Sequence, residues 1–381
     1  MTTRFGALVG GRVLTPEGWA SSVSWSGGLI AGVDGATGTD EPGVQHVDDQ
    51  LVLPGIIDIH GDAFERCVAP RPGSMFPVVS ALLENDAQLL SAGITTFLLS
   101  ATDSWEPGLR SRATLREVRA RLDDLPLAVD TQLHVRHEQC QVEGHDELMG
   151  WLDDGSIAML SLNDHTPDSR EPERLDRAVA SLQRRFPAAD TEVRSIIETA
   201  VTAREQGAAQ VVELVARARA RSVPVASHDR ATLDDLEHDL ALGVSIAEFP
   251  FTLDLARRYQ EVGVVVLMGA PNLVRGRSHL GLVSVRDAVE SGVVDVLASD
   301  YHYSSLLLSP FVLVALGLSR LEDAWPLVSA HPASAAGLGD RGSIEPGRRA
   351  DLIVVDDRGA APIVTGVVVG GRAVAGRFEP R

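Results

Sequence analysis

Residues 53–62 read Leu53-Pro54-Gly55-Ile56-Ile57-Asp58-Ile59-His60-Gly61-Asp62, an apolar run that ends in side chains able to bind a metal ion. Side chains of a β-strand alternate between its two faces, so His60 and Asp62 project from one face with Asp58 below them. Such a pair supplies half of a metal site. The pair alone is equally compatible with a strand that runs into a polar turn. The residues at the other strand ends of the chain therefore decide between a metal site and a plain turn.

Eight apolar, strand-like runs alternate with helical patterns along the middle of the chain. The strand-like runs lie at 53–60, 95–99, 127–135, 157–162, 223–226, 244–247, 264–268 and 294–298. The helical patterns include 77–91, 108–122, 194–221 and 284–291. Alternation of this kind is typical of parallel βα units. Eight units predict an α/β fold, a (β/α)₈ TIM barrel, for which about 250 residues are typical.

Both ends of the chain have a different, strand-rich composition. Short apolar runs broken by Gly and Pro occupy residues 5–53, and similar runs return at 350–355, 363–369 and 372–374. Two β-rich ends around an α/β middle predict one small β-sandwich domain assembled from both termini. We therefore expect residues 1–53 and 344–381 to form the β-sandwich and residues 54–343 to form the barrel.

Charge and residue usage exclude several classes of function. The chain of 381 residues has 53 acidic and 34 basic side chains, a net charge of -19, which disfavours nucleic acid and anionic membranes as partners. It contains no lysine. This excludes a Walker-type phosphate loop, a pyridoxal Schiff base, a lysine nucleophile and a carboxylated lysine that bridges two metals. An anionic substrate would have to be bound by arginines.

The sequence carries no signal for export or for a membrane. No apolar run reaches the roughly 18 residues of a membrane helix, and the first residues lack the basic and apolar regions of a signal peptide. Two cysteines cannot build a disulfide framework. We expect a cytoplasmic protein that acts on a small-molecule substrate, and association into a homo-oligomer is left open.

Barrel enzymes carry their chemistry at the C-terminal ends of the barrel strands. In this chain those ends hold imidazole and carboxylate groups, namely His60, Asp62, Glu138, Asp164, His165, His228, Glu248 and Asp300. Each residue taken singly is often structural, but so many at one edge need cations to balance them. Mixed nitrogen and oxygen ligands suit zinc, manganese or iron better than magnesium or calcium. We expect one or two divalent transition-metal ions, with zinc as the first choice.

Alternation in the third strand places His134, Arg136 and Glu138 on one face, so His137 should point away from the site. With no lysine available, Glu138 is the expected carboxylate between two cations. Asp300 stands after the eighth strand, where a carboxylate can bind a metal and also accept a proton from water. It is the expected catalytic base, and a helix N-cap is the alternative.

Loops on the same side of the barrel supply candidate substrate contacts. The segment 269–279 combines glycines with arginines, as an anion-binding loop does, and a plain surface loop is the alternative. Other arginines follow the first strand or lie on the third, and two histidines lie in nearby loops. The candidate substrate-binding residues are Arg66, Arg71, Arg136, Asn272, Arg275, Arg277, His279 and His302.

These residues resemble the amidohydrolase superfamily and, within it, the phosphonate-utilisation branch typified by α-D-ribose 1-methylphosphonate 5-triphosphate diphosphatase. The resemblance covers nearly the whole chain. Besides residues 53–62, its motifs are Pro-Arg-Pro (70–72), Ser-Ala-Gly-Ile-Thr-Thr (91–96), Leu-His-Val-Arg-His-Glu (133–138), Ser-Leu-Asn-Asp-His-Thr-Pro (161–167), Ala-Ser-His-Asp (226–229), Ile-Ala-Glu-Phe-Pro (246–250), Leu-Met-Gly-Ala-Pro-Asn-Leu-Val-Arg-Gly (267–276) and Ser-Asp-Tyr (299–301).

The resemblance implies a barrel with a small β domain and a metal-bound hydroxide as the nucleophile. In the reaction of that branch, the hydroxide attacks the phosphate nearest the ribose and pyrophosphate leaves, which is hydrolysis of a phosphoanhydride. Asp300 serves as both ligand and base in this scheme. The metal ligands that the resemblance implies are His60, Asp62, Glu138, His165, His228 and Asp300.

The chain departs from that branch where substrate would bind, at 168–171, 278–282 and 300–304. An amidohydrolase that cleaves a C–N bond of an N-acyl compound, cyclic amide or imide with the same metal centre is therefore the alternative function. A non-catalytic scaffold is a third alternative, disfavoured because the expected ligands and base are all present. Arginines near the site separate the first two, since a triphosphate needs several within reach and a neutral amide needs none.

Overall fold

The computed structural model describes residues 6–35, 43–71, 73–167, 172–276 and 283–376, and it contains two eight-stranded sheets. The strands of the first sheet are β1 (Gly6–Thr15), β2 (Gly18–Ser26), β3 (Leu29–Val33), β4 (Val44–His46), β5 (Leu51–Pro54), β14 (Leu352–Asp356), β15 (Ile363–Val369) and β16 (Arg372–Gly376). The strands of the second are β6 (Ile56–Gly61), β7 (Ile94–Asp103), β8 (Asp130–Glu138), β9 (Ile157–Asn163), β10 (Val225–His228), β11 (Ile246–Glu248), β12 (Val265–Gly269) and β13 (Val296–Ala298).

Helices connect the strands of the second sheet and follow its last strand. They are α1 (Glu65–Val68), α2 (Val78–Ser91), α3 (Arg112–Asp124), α4 (His145–Asp153), α5 (Pro172–Arg185), α6 (Asp190–Thr202), α7 (Arg204–Ala220), α8 (Leu233–Leu242), α9 (Leu253–Glu261), α10 (Ala270–Arg275), α11 (Val285–Glu290), α12 (Ser304–Ala315), α13 (Leu321–Ala324) and α14 (Ala330–Ala335). Short 3₁₀ helices span Gly108–Arg110 and Trp325–Val328.

Strands β6 to β13 pair in parallel in chain order and close into a barrel. Closure occurs at a bridge between Gly61 and Asp300. There the Asp62 N–H donates to the Asp300 carbonyl and the Asp300 N–H donates to the His60 carbonyl, each at 2.9 Å. The predicted fold class is therefore confirmed. Because all eight strands run in parallel, their C-terminal ends meet at one rim.

A buried carboxylate holds the closing strands together. Asp58 is fully buried and accepts hydrogen bonds from the Ser299 hydroxyl (2.5 Å) and from the backbone N–H groups of Ser299 and His60 (3.2 Å each). Desolvation raises the pKa of Asp58, while these donors oppose the rise. Asp58 thus positions the strand that carries His60.

Apolar side chains fill the barrel on both faces of its strands. Inside the barrel, apolar residues of most of its strands pack together, namely Ile57, Ile59, Leu98, Met159, Ala226, Ile246, Leu267, Val296 and Ala298. Outside, a larger cluster joins the strands to the surrounding helices. Buried apolar surface contributes about 25 cal/mol per Å² removed from water, so this double core is the main source of rigidity beneath the rim.

The first sheet joins both termini of the chain, as predicted. Its order is β16-β15-β14-β5-β1-β2-β3, with β4 on β1, and the N- and C-terminal parts meet where β5 pairs antiparallel with β14. Gly55 separates β5 from the barrel strand β6, and any Cβ at this position would collide with the Thr95 side chain. The change of sheet therefore requires glycine here. The boundaries at 53/54 and 343/344 remain predictions.

The single helix predicted over 194–221 is wrong, because the structure has α6 and α7 separated at Ala203. Helix α6 packs with α5 in a separate apolar cluster that includes Val193 and Ile197, whereas α7 packs on the barrel. Two different packing partners require the chain to change direction between the helices. In α7, Gly207 lies so close to the Gln139 carbonyl that a Cβ would collide with it.

Two further features concern the helices and the cysteines. Among the described residues, none of the helices combines the length and the apolar composition needed to cross a membrane. Cys67 and Cys140 are both buried and unbridged.

Candidate metal centre

Three residues at the rim adopt a backbone conformation that side chains usually avoid. Asp229, Phe249 and Asp300 follow β10, β11 and β13 with φ values of 57°, 55° and 53°. Their N–H groups donate to carbonyls of the neighbouring strands, Glu248, Leu267 and His60, at 2.9–3.0 Å. A non-glycine residue with positive φ costs roughly 1 kcal/mol or more. Such strain clusters at functional sites, and three of the six described non-glycine residues with positive φ lie at this rim.

Glu248 orients two imidazoles. It is buried, and its Oε1 accepts from His60 Nδ1 at 2.7 Å, while its Oε2 accepts from His228 Nδ1 at 3.2 Å and from the Ser161 hydroxyl at 2.7 Å. Burial alone would raise the pKa of Glu248, but the imidazoles hold it well below its usual value. Because each Nδ1 faces Glu248, the Nε2 atom of His60 is left without a partner and that of His228 faces Arg136.

His134 adds a third imidazole from the inward face of β8. Its Nδ1 lies 3.1 Å from the Ile59 carbonyl and 3.0 Å from the Ser100 hydroxyl, and its Nε2 lies 3.9 Å from Glu248 Oε1. The Nε2 atoms of His60 and His134 are buried and have no hydrogen-bond partner. A buried polar atom without a partner costs about 1–3 kcal/mol. A metal ion is the ligand that two such nitrogens fit.

Four imidazoles form a row across the barrel mouth. His134 meets His60 edge-on at 5.5 Å between ring centroids, His60 stacks on His228 at 5.2 Å, and His228 meets His165 edge-on at 5.6 Å. The Phe249 ring packs edge-on against His60 and His228. Among the described residues, donor atoms close enough to share one ion occur in two groups, one of His60, His134 and Glu248 and one of His165, His228 and Asp229.

Glu138 and His165 form a tight pair at the end of the row. Glu138 accepts from His165 Nδ1 at 2.5 Å and from the His165 backbone N–H at 2.9 Å. Burial alone would raise the pKa of Glu138, but His165 outweighs it and lowers the value to about 2. In turn, burial would lower the pKa of His165, but Glu138 and Asp229 raise it to about 9. Without a bound metal ion the two groups form an ion pair at neutral pH, and His165 would have to lose its proton to bind a metal.

Arg136 lies between predicted metal ligands. Its Nη1 donates to Asp62 Oδ2 at 2.9 Å and its Nη2 donates to His228 Nε2 at 3.1 Å, and its side chain is buried. Burial, with Arg136 as the next cause, lowers the pKa of His228 to about 4. Burial also lowers the pKa of His134 to about 3. Both imidazoles are thus neutral at pH 7, as metal ligands must be.

Asp300 has the perturbed acidity expected of a base. Burial, followed by the nearby Asp62 charge, raises the pKa of Asp300 to about 7. A carboxyl group with a pKa close to the working pH exchanges protons efficiently. Asn272 and Asp300 both lie beside Gly269. A Cβ at Gly269 would be 3.7 Å from Asn272 Nδ2 and 3.7 Å from Asp300 Oδ2. The buried Oδ1 of Asn272 has no hydrogen-bond partner.

The other predicted substrate-binding residues lie at the surface or outside the described residues. Arg66 and Arg71 are exposed in the segment after β6. Arg275 is exposed and donates to the Tyr301 hydroxyl at 3.1 Å, and His302 is exposed with its Nδ1 2.8 Å from the Ser305 hydroxyl. The structure thus brings Arg136 and Asn272 to the rim, whereas Arg277 and His279 lie outside the described residues.

Residues beyond the six predicted ligands also stand at the rim. His134 and Asp229 contribute donor atoms to the two groups, and Glu248 orients His60 and His228. Alternation along β8 already placed His134 on the inward face, but the role of Asp229 depends on its positive φ, which the sequence does not reveal. By contrast, Asp164 is exposed and pairs with Arg204 at 2.5 Å. His137 points away from the rim to Asp103, at 2.7 Å, as alternation predicted.

Comparison with known proteins supplies a family. The model of the amidohydrolase family matches residues 51–374. Alpha-D-ribose 1-methylphosphonate 5-triphosphate diphosphatase of Escherichia coli (strain K12) is 32% identical over 311 residues, which are 80% of this chain and 82% of that protein. Adenine deaminase of Methylobacterium nodulans is 40% identical over 78 residues, 20% of this chain and 13% of that protein.

A solved structure with the same fold is N-isopropylammelide isopropylaminohydrolase from Burkholderia multivorans ATCC 17616. It has a TM-score of 0.65 and 18% identity, covering 97% of this chain and 98% of that chain. At this identity the likeness concerns the fold alone.

Proposed function

The chain belongs to the amidohydrolase family, and we propose that it is a metal-dependent hydrolase of phosphonate metabolism. In this proposal it cleaves the phosphoanhydride of α-D-ribose 1-methylphosphonate 5-triphosphate, or of a related triphosphate, and releases pyrophosphate. The observation that carries the proposal is the 32% identity with the Escherichia coli diphosphatase over 80% of this chain. The rim geometry supports it, because the donor group of His165, His228 and Asp229 lines a cavity.

The residues at the rim fit divalent transition-metal ions. Imidazoles, two of them with orphaned Nε2 atoms, together with carboxylates are the donor set that zinc, manganese or iron prefers. When bound, such an ion lowers the pKa of water and draws electrons from a phosphoryl oxygen. Glu138 would supply a carboxylate ligand. We assign the ligands to His60, Asp62, Glu138, His165, His228 and Asp300, with His134 and Asp229 as additional donors.

The protein's own groups then divide the remaining tasks. Asp300, placed after the last barrel strand, would accept the proton of the attacking water. Glu248 holds His60 and His228 with their Nε2 atoms toward the rim. Arg136 lines the adjacent cavity and would bind a phosphoryl oxygen once its contacts with Asp62 and His228 are replaced.

A cytoplasmic setting fits this function. Cys67 and Cys140 are buried and unbridged, as expected where thiols stay reduced. The cavity beside the rim has a volume of about 310 Å³, which suits a small molecule rather than a polymer.

Hydrolysis of a C–N bond is the second candidate function. The 78-residue match to adenine deaminase favours it, but that match spans only 20% of this chain. A neutral amide or purine would gain little from guanidinium groups near the site, whereas a triphosphate would bind to them through charge-assisted hydrogen bonds.

A substrate panel tests the proposal. The purified protein, supplied with Zn²⁺ or Mn²⁺, is assayed for pyrophosphate release from sugar triphosphates and for cleavage of N-acyl compounds, cyclic amides and adenine. We expect pyrophosphate release to have the highest kcat/KM and to disappear with a chelator. Faster C–N cleavage would replace the proposal with the second candidate, and the Asp300→Asn variant controls for contaminating phosphatases.

A further inference from the structure

The cavity beside the metal groups extends to a part of the protein that none of the predicted residues occupies. On one side it is bounded by the barrel residues Arg136, Glu138, His165, His228 and Asp229. On the other side it is bounded by the segment after β7 and by helix α5. The residues of this outer side include Trp105, Glu106, Arg110, Ser181, Leu182 and Arg185.

Two arginines at the outer side are held in fixed orientations. Arg110 donates from Nε and Nη2 to the two carboxylate oxygens of Glu65, each at 2.9 Å. Arg185 donates from Nη2 to both oxygens of Glu106 at 2.9 and 2.8 Å, and its Nη1 contacts Ser181 at 3.2 Å. A guanidinium has five N–H donors in a rigid fork, so each pair leaves donors for a ligand.

The surroundings of these arginines differ from an ordinary surface ion pair. The side chains of Arg110 and Arg185 are 26% and 31% exposed. Trp105 and Leu182 support this side, because Trp105 packs in the apolar cluster of α5 and α6. The Trp105 indole N–H also donates to the Thr166 hydroxyl at 3.0 Å. Fixed arginines lose little side-chain entropy when an anion binds.

We propose that Arg110 and Arg185 form the anion-binding end of the substrate cavity and bind the pyrophosphoryl part of a triphosphate. This inference rests on the proposed function. If attack occurs at the phosphate nearest the sugar, the two departing phosphates extend away from the metal groups and need cationic partners. A chain with a net charge of -19 must supply these locally. The Arg110–Glu65 and Arg185–Glu106 pairs keep the guanidinium groups in place when no anion is bound.

The test compares variants that remove a whole ion pair with a matched control. The double variants are Arg110→Met with Glu65→Gln and Arg185→Met with Glu106→Gln. The control is Arg119→Met, because Arg119 is 27% exposed and pairs with Asp154, outside the residues that line the cavity. Binding of inorganic pyrophosphate to the metal-loaded protein is measured by calorimetry, and metal content is measured for every variant.

We expect each double variant to bind pyrophosphate about 10-fold or more weakly, as loss of a charge-assisted contact implies, with unchanged metal content. The KM for the triphosphate should rise while kcat changes little, since these contacts are made before and during the reaction. Single Arg110→Lys and Arg185→Lys variants, which keep the charge without the fork, should be intermediate. The control should match the wild type.

The two proposals can fail separately. Pyrophosphate affinity and KM that stay unchanged in both double variants would overturn the anion-binding assignment while leaving triphosphate hydrolysis intact. If the wild type binds pyrophosphate through these arginines but hydrolyses no triphosphate, the assignment stands and the proposed reaction is wrong. Absence of pyrophosphate binding to the metal-loaded wild type would also overturn the assignment.

Discussion

Strand β8 carries a cluster of polar and charged side chains toward each end, and the two clusters differ in how completely their polar atoms are paired. At the N-terminal end, Asp130 accepts from Arg341 Nη1 at 2.6 Å and also from Arg349. Arg341 further donates to the Thr96 hydroxyl at 3.0 Å and to Asp340 at 2.8 Å. Burial would raise the pKa of Asp130, but the two arginines outweigh it and lower the value.

The C-terminal end of β8 leaves its charges incompletely paired. His134 and Arg136 each have a buried side-chain nitrogen without a partner, whereas Asp130 and Arg341 have no such atom and only Asp351, a second partner of Arg349, has one among the described residues of the other cluster. Across the mouth, Asp300 has its pKa raised to about 7. Complete pairing stabilises the fold, and incomplete pairing leaves donors for ligands. The same strand thus serves stability at one end and chemistry at the other.

The largest expected effect is on stability and comes from the N-terminal cluster. Arg341→Met should lower the free energy of unfolding by about 3 kcal/mol, because the buried Arg341 side chain loses its bonds to Asp130, Asp340 and Thr96 and leaves Asp130 with Arg349 alone. Metal content and kcat should stay close to those of the wild type. Chemical denaturation followed by circular dichroism measures the change.

The control for this variant is Arg358→Met, since Arg358 pairs with Asp356 at a surface position that is 56% exposed. It should leave stability unchanged. Equal destabilisation by both variants would contradict the special role of the Asp130 cluster.

The next effect concerns catalysis at the other end. Asp300→Asn should lower kcat by at least about 10²-fold, because an amide cannot accept the proton of the attacking water. Unfolding by denaturant should be little affected, which separates this variant from Arg341→Met. Activity close to that of the wild type would show that the base lies elsewhere, with Glu138 as the next residue to test.

A smaller effect is expected from the residue that orients the imidazoles. Glu248→Gln should weaken metal binding by about 10- to 100-fold, since the amide accepts less strongly from His60 and His228. Competition with a chromogenic chelator measures the affinity. An Asp164→Asn variant serves as the control, because Asp164 is exposed and pairs with Arg204. Equal metal affinity in Glu248→Gln and the wild type would leave Glu248 a purely structural residue.

The smallest effect is a pH dependence of stability. Because the folded-state pKa of Asp130 is lowered, its contribution is fully present above the unfolded pKa of about 3.9 and is lost as pH falls through the folded value. Asp130→Asn should therefore show a shallower loss of stability below about pH 4 than the wild type. Parallel curves for the two proteins would contradict the lowered pKa.

Much of the fold could be predicted because it depends on local pattern. Eight strand-like runs, the joining of both termini and the outward direction of His137 all follow from spacing along the chain. The helix predicted over 194–221 failed because its ends pack against different partners, which a local pattern does not record. The six predicted ligands remain predictions, although the structure places His60, His165 and His228 in one row.

By itself, the sequence determined the class of chemistry: which donor atoms follow which strand, and that no lysine competes with them. The tertiary structure alone decided how those atoms are used. Glu248 meets both His60 and His228 because β11 pairs with β10 and because the closed barrel brings the ends of β6 and β11 to the same rim. Residues far apart in the chain come within a few ångströms of one another at the rim. These distances set the imidazole tautomers, the perturbed pKa values and the position of Arg136, because electrostatic energies change steeply over such distances.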